Sequence, residues 1–253
     1  IIPMVSAIWS MPPYEAGKMP MNFFLKFFQN HGLFKLRNRP QWFTVSQRSK
    51  TYVNKVLSKI SGEYFKNYKI KSVKRISSGV QVYYGGNDEF FEYDKVVLAT
   101  HADETLALIE NPTEEETKVL SNFNYRENFA VLHSDEKMMP KNKKAWSSWN
   151  SFVDPKDLNK SSLSYWLNLL ENLKIEKNIF LTLNPFREIP EEKIFKKIKF
   201  SHPYFDQKAL DNQKNLQKIQ NKQNLLFCGS YFGYGFHEDG IKSSIEMIKN
   251  IND

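Results

Sequence analysis

The last thirty residues constrain this chain more than any other stretch. Leu225-Leu226-Phe227-Cys228-Gly229-Ser230 reads as an apolar strand running into a loop that carries Gly229, Gly233, Gly235 and Gly240. An amphipathic helix bearing Ile241, Ile245, Ile248 and Ile251 follows. Such an arrangement puts unpaired N–H groups and the positive end of a helix dipole in one place, where an anion or a polarised ring edge can bind. Glycines there let the backbone approach a ligand with no side chain between. On its own the pattern also describes an ordinary tight turn, so the rest of the chain has to decide.

Ahead of that tail the hydrophobic period changes twice. Phe23, Phe24, Phe27 and Phe28 recur at helical spacing, with Gly32 as the stop, which predicts either a core-packing helix or the lining of an apolar pocket. A second helix is predicted over 49–60, with Tyr52, Val53, Val56, Leu57 and Ile60 on one side. From Tyr68 the period becomes two. Ile70, Val73 and Ile76, then 80–84, the turn Gly85-Gly86-Asn87-Asp88, and 90–93 form a small antiparallel meander. Asp94-Lys95-Val96-Val97-Leu98-Ala99-Thr100 is an apolar run ending in a small polar residue, as buried parallel strands do. Thr113 and Glu116 form a capping box at the start of another helix. Residues 129–133, 145–149, 162–167 and 179–183 alternate as strands of a second, mostly antiparallel sheet. Its Trp146, Trp149, Tyr165 and Trp166 either build a core or wall a pocket. Residues 206–219 are polar and helical in pattern. The fold class is α/β with α+β character.

Composition removes several functions. One cysteine excludes a disulfide framework, and inside an apolar strand Cys228 behaves as a small hydrophobe. The five histidines, at 31, 101, 133, 202 and 237, lack metal-ligand spacing, and no serine sits in a GxSxG context. No apolar run approaches the roughly 20 residues of a membrane span, so a cytoplasmic protein is expected. The net charge of +8 comes from thirty lysines but only six arginines, spread along the chain, which speaks against a nucleic-acid groove. A weak attraction to anionic membrane surfaces stays open. Ile1-Ile2-Pro3-Met4-Val5-Ser6 reads as the middle of something, which predicts a fragment.

The closing stretch 227–244, together with Tyr93-Asp94-Lys95-Val96-Val97-Leu98-Ala99-Thr100-His101, resembles the flavin-containing amine oxidase superfamily, and more closely a bacterial branch of NAD/FAD-binding proteins. Arg39-Pro40-Gln41-Trp42, Val131-Leu132-His133-Ser134-Asp135, 145–150 and Leu183-Asn184-Pro185 extend the likeness along the chain. The resemblance implies FAD, an FAD/NAD(P)-binding domain that is discontinuous and here partial, and an inserted antiparallel-sheet substrate domain with flanking helices. The implied boundaries give 1–40 and 111–205 to the substrate domain, and 41–110 and 206–253 to the FAD-binding domain. It further implies that Gly229 and Ser230 pass the ribitol and pyrophosphate, and that the amides of Asp239, Gly240 and Ile241 face the flavin pyrimidine edge. Thr100, His101 and Trp42 approach the cofactor. The GxGxxG strand–turn–helix of full-length members has no match here, so a missing amino-terminal dinucleotide-binding segment is implied, and with it weak or absent FAD binding by this fragment. Gln47 and Arg48 stand where relatives carry a Gly-Gly pair after the Trp42-like residue.

The side chains near the tail have two readings each. His237 is a proton relay or a turn residue; Glu238 and Asp239 cap a helix, order the cofactor turn, or do both. His101 is a polar strand-end residue or a catalytic one. The leading function is hydride transfer from an unidentified small-molecule substrate, in one version an apolar or lipid-like one at the inner face of a bacterial membrane, to FAD. The alternative is a non-catalytic flavin-fold remnant that binds a hydrophobic ligand or a partner.

Overall fold

Punctuation and capping residues set the element boundaries. The computed structural model describes residues 2–86 and 89–251. In chain order the elements are α1 (Ile2–Trp9), α2 (Pro13–Ala16), α3 (Met21–Asn30), α4 (Ser49–Leu57), β1 (Ile70–Ile76), β2 (Gly79–Tyr84), β3 (Glu89–Tyr93) and β4 (Val96–Leu98). There follow α5 (Ala102–Leu108), α6 (Glu114–Leu120), β5 (Asn124–His133), β6 (Trp149–Asp154), β7 (Asp157–Trp166), α7 (Leu167–Leu170) and β8 (Phe180–Leu183). Last come β9 (Ile194–Tyr204), α8 (Gln207–Gln213), β10 (Leu225–Phe227) and α9 (His237–Ile248). The chain divides into two compact units, Ile1–Gly62 with Arg126–His202, and Glu63–Tyr125 with Pro203–Asp253.

The first unit is built on a five-stranded sheet of order β6-β7-β8-β5-β9. Small residues let α1 sit close on one face, where Ala7 meets Ala130, Leu163 and Leu183. The four phenylalanines of α3 are all buried, and Trp9 meets Phe27 edge-on at 4.7 Å. Trp146 packs edge-on against both Trp166 and Phe180, and the two indole N–H groups donate to Pro140 O and Asn178 Oδ1. The strand expected over 145–149 is instead a 3-10 turn, Lys143–Ala145, and β6 starts only at Trp149. Side chains cause this: Asn142 caps the turn, and the Asn150 amide bonds Ser147 N and O, holding the intervening chain off the sheet. α4 is shorter than expected and buries none of its residues.

The second unit holds the meander β1-β2-β3 and a two-stranded parallel sheet, β10-β4. The meander turn at Asn87 and Asp88 lies outside the described residues. Val96 and Leu98 face a core that includes Leu225, Phe227, Val119, Leu120 and Phe123. Val97, in register with buried Leu226, is 42% exposed, so β4 is not the fully buried strand expected. Both outward backbone groups of Phe227 are taken by the Gln220 side chain, at 3.0 and 2.7 Å, and Leu225 N donates to Lys222 O. The capping box of α6 is formed as the sequence spells it: Thr113 Oγ1 accepts from Glu116 N at 3.1 Å, and Glu116 Oε2 accepts from Thr113 N at 2.9 Å. The other oxygen of Glu116 pairs with Arg75 of β1.

The unit boundaries differ from those implied by the resemblance. Residues 111–125 join the second unit because α6 and Phe123 supply its core and Glu116 clamps β1. Residues 41–62 cluster with the first unit, and none of them is buried. A third difference concerns α9. It seats on Leu226 and Cys228 through Met247, beside Ser243, while Ile241, Ile245 and Ile248 fall roughly 100–160° round the helix and stay exposed.

Candidate functional site

The carboxyl ends of β4 and β10 lie side by side, and that is where sheets of this kind bind ligands. Thr100 and His101 follow β4, Gly229 and Ser230 follow β10, and a Cβ on Gly229 would stand 3.6 Å from Thr100 O. The structure thus brings four of the expected residues together, and the start of α9 adds Gly240. Ser243, inside the stretch 227–244 but not singled out from the sequence, ties these parts: its Oγ accepts from Gly229 N at 2.9 Å and donates to Gly240 O at 2.7 Å. Gln213 pins the loop from outside, donating to Tyr231 O and Gly233 O.

The glycine loop is not the open cradle expected. A Cβ at Gly229 would strike the Tyr231 ring at 2.7 Å, one at Gly233 the Asp239 carboxylate at 2.2 Å, and one at Gly235 the Phe205 ring at 2.9 Å. These three glycines admit side chains of this chain. At Gly240 the space is open: beyond its own helix the nearest atom is Ser230 N, 3.9 Å from where a Cβ would stand.

The amides also need correcting. Asp239 N and Gly240 N both donate to Phe236 O, at 3.1 and 3.2 Å, while Asp239 Oδ2 accepts from Phe236 N. Asp239 therefore closes its own turn, and its amide and that of Gly240 are not presented outward. Ile241 is exposed on the helix flank, Glu238 pairs with Lys242, and His237 is the first residue of α9. What the turn does offer is the Ser230 N–H, which has no hydrogen-bond partner among the described residues. Its neighbour across the sheet end is His101, whose ring stacks on Tyr125 at 4.3 Å and whose Nδ1 is buried with no partner. Burial pushes the Tyr125 phenol upward, so it stays protonated and accepts from Ala102 N at 2.9 Å. An unpartnered donor, an unpartnered ring nitrogen and an open glycine flank fit the polar edge of a flavin.

Trp42 lies in the other unit. It is 66% exposed and lines a groove of about 550 Å³ with His31, Lys35, Pro40 and Phe43. Gln47 and Arg48 both keep positive φ, +62° and +71°, the conformation glycine favours.

The first unit also holds a groove of about 600 Å³, lined by Ser6, Ser10, Arg126, Phe129, Ser161 and Leu183 among others. Ser6 is buried and its Oγ has no partner, whereas Arg126 is held by Glu15. Sequence reasoning missed this groove; two serines four apart in an apolar stretch were its faint signal. The buried His133, by contrast, is spent. Its Nδ1 accepts from Asp135 N, so Nε2–H donates to Thr182 Oγ1 at 2.7 Å, Thr182 donates to Ser164, and Ser164 donates to Met138 O. Burial pushes His133 down to about 4, and the line ends at a carbonyl.

No family model matches the sequence, and no curated protein matches it. Solved structures do. A protein from Exiguobacterium sp. 255-15 assigned as a protoporphyrinogen oxidase superposes with a TM-score of 0.63 at 11% identity, covering 99% of this chain and 62% of that one. Cyclohexylamine oxidase from Brevibacterium oxydans IH-35A gives 0.59 at 11%, covering 100% and 64%. A fatty acid isomerase from P. acnes gives 0.57 at 13%, covering 80% and 52%. The chain has the mixed α/β fold of these proteins and spans between about half and two thirds of their length.

Proposed function

We propose that the chain is the carboxyl-terminal part of an FAD-dependent, amine-oxidase-like oxidoreductase. The observation that carries this is the unpartnered Ser230 amide beside the open flank of Gly240, at the paired ends of two parallel strands. The fold likeness to oxidases supports it. Bound flavin would supply the ring that accepts a hydride, so the protein need not carry an acid–base triad of its own. The chain's residues would do the rest. Ser230 N–H and the positive end of α9 would bear on negative charge at the ring edge, Gly240 would leave room for it, and Ser243 would hold loop and helix in register. His101, braced by Tyr125, would offer Nδ1 to a polar atom. The grip on the adenosine diphosphate would come from a dinucleotide-binding segment not among these residues. The substrate we infer is a small molecule with an apolar or lipid-like part.

A second reading, a flavin-fold remnant that binds without turnover, is favoured by the three glycines whose space is already filled. The gene with its upstream coding sequence separates the two. A yellow protein is expected, and Gly240→Ala should weaken its flavin while leaving the fold as stable or up to about 1 kcal/mol more so, since alanine is the better helix former and no atom blocks the methyl. A colourless protein that takes up no added FAD, or a Gly240→Ala variant with unchanged flavin affinity, would overturn the proposal.

A further inference from the structure

The groove of about 600 Å³ lies wholly within the first unit, lined from α1 and from strands β5 to β8. Its volume falls in the range of small-molecule sites, about 300–1,000 Å³. The polar part of the lining is mostly of one kind. Ser6, Ser10, Ser151 and Ser161 supply hydroxyls and Asn159 a carboxamide, and none of these side chains has a hydrogen-bond partner among the described residues. Ser162 and Asn184, beside them, are spent: Ser162 Oγ donates to Leu183 O at 3.0 Å, and the Asn184 amide serves Phe129 N and Asn128 Oδ1. Ser6 matters most. It is 4% exposed, and a hydroxyl buried with no partner is costly unless a bound molecule completes it. The charges on the lining cancel, Arg126 and Lys160 against Glu127 and Asp154. Three of the four are also paired, with Glu15, Asp157 and Lys199. The apolar part is buried Leu163 and Leu183, with Phe129 standing 55% exposed.

We propose that this groove is a binding site for a small neutral saccharide. A serine hydroxyl both gives and takes a hydrogen bond, so a cluster of serines suits a ligand whose own hydroxyls do the same. An ionic ligand finds no excess of either sign here and would be desolvated without a counter-charge. A wholly apolar ligand would cover the hydroxyls and the Asn159 amide and leave them unpaired, at a cost for each. A sugar ring meets both demands, because its C–H face can rest on the Phe129 ring while its hydroxyls bond Ser6 and the other free groups. The inference does not depend on the cofactor reading, since saccharide binding involves no redox step and is measured without flavin turnover.

The test is titration calorimetry of the chain, with any upstream coding sequence of its gene included, against maltose, lactose and N,N′-diacetylchitobiose. Citrate, butylamine and hexanol serve as anionic, cationic and apolar comparisons. Saturable binding of at least one saccharide, insensitive to salt, is expected. Ser6→Ala should weaken it about two- to tenfold, the loss of one hydrogen bond, and Phe129→Ser should weaken it as well. In the free protein Ser6→Ala deletes a hydroxyl that has no partner, so its thermal midpoint should hold or rise. No saccharide binding, or variants that bind saccharide like the parent, would overturn the proposal. So would citrate, butylamine or hexanol binding more tightly than any saccharide and being weakened by Ser6→Ala. A lower thermal midpoint for free Ser6→Ala would overturn it too, by showing that the hydroxyl is paired within the fold.

Discussion

Gln47 and Arg48 adopt backbone conformations that belong to glycine, and Arg48 combines φ +71° with ψ −175°, a region in which a side chain is rarely tolerated. Holding a residue there costs about 1–3 kcal/mol, while glycine returns about 0.5–1 kcal/mol of unfolded-state entropy. Arg48→Gly should therefore stabilise the first unit by about 1 kcal/mol net in urea unfolding followed by tryptophan fluorescence; a loss of stability would show that the turn is not under strain. His133 makes a second prediction at this scale. An unfolded histidine titrates near 6.5, and burial brings the folded one to about 4. The unfolded state thus binds the extra proton, so the contribution is complete above pH 6.5 and is lost as pH falls toward 4, on the order of 3 kcal/mol. Unfolding curves across that range should show the slope in the parent chain and not in His133→Gln.

Among the elements, α6 shows how one carboxylate serves two purposes. Glu116 caps the helix through Thr113 and neutralises Arg75, whose Nε and Nη1 are buried without partners. Losing the cap alone should be mild: Thr113→Ala is expected to cost about 1 kcal/mol. Glu116→Ala leaves a buried guanidinium uncompensated and should cost about 3–5 kcal/mol. Equal losses in denaturant titrations would mean that the ion pair contributes little. The cap, the α3 phenylalanines and the parallel strands β4 and β10 were legible in the sequence because each rests on local spacing. The turn over 143–145 was not, because Asn142 and Asn150 act through side-chain bonds that no hydrophobic period records. The outward isoleucines of α9 show a further limit: periodicity finds an apolar sector but cannot say that Ser243 and Met247 define the packed side.

At the scale of the molecule, the sequence located the candidate site but not its workings. Gly229, Ser230, Thr100 and His101 meet because two strand ends adjoin, an adjacency that the family resemblance implied and that hydrophobic periodicity does not carry. That Tyr231, Asp239 and Phe205 occupy the glycines' space, and that Phe236 O takes two of the amides, are contacts formed across the loop and invisible before folding. The same holds for the unit boundaries, which follow core membership. One further feature has a directional effect. Gln220 and Lys222 satisfy the outer margin of β10, whereas the ladder leaves Val97 facing away from its only strand partner among the described residues. Any polypeptide recruited to widen this layer is steered to the Val97 side, since on the opposite flank Leu225 N and both Phe227 groups are already taken.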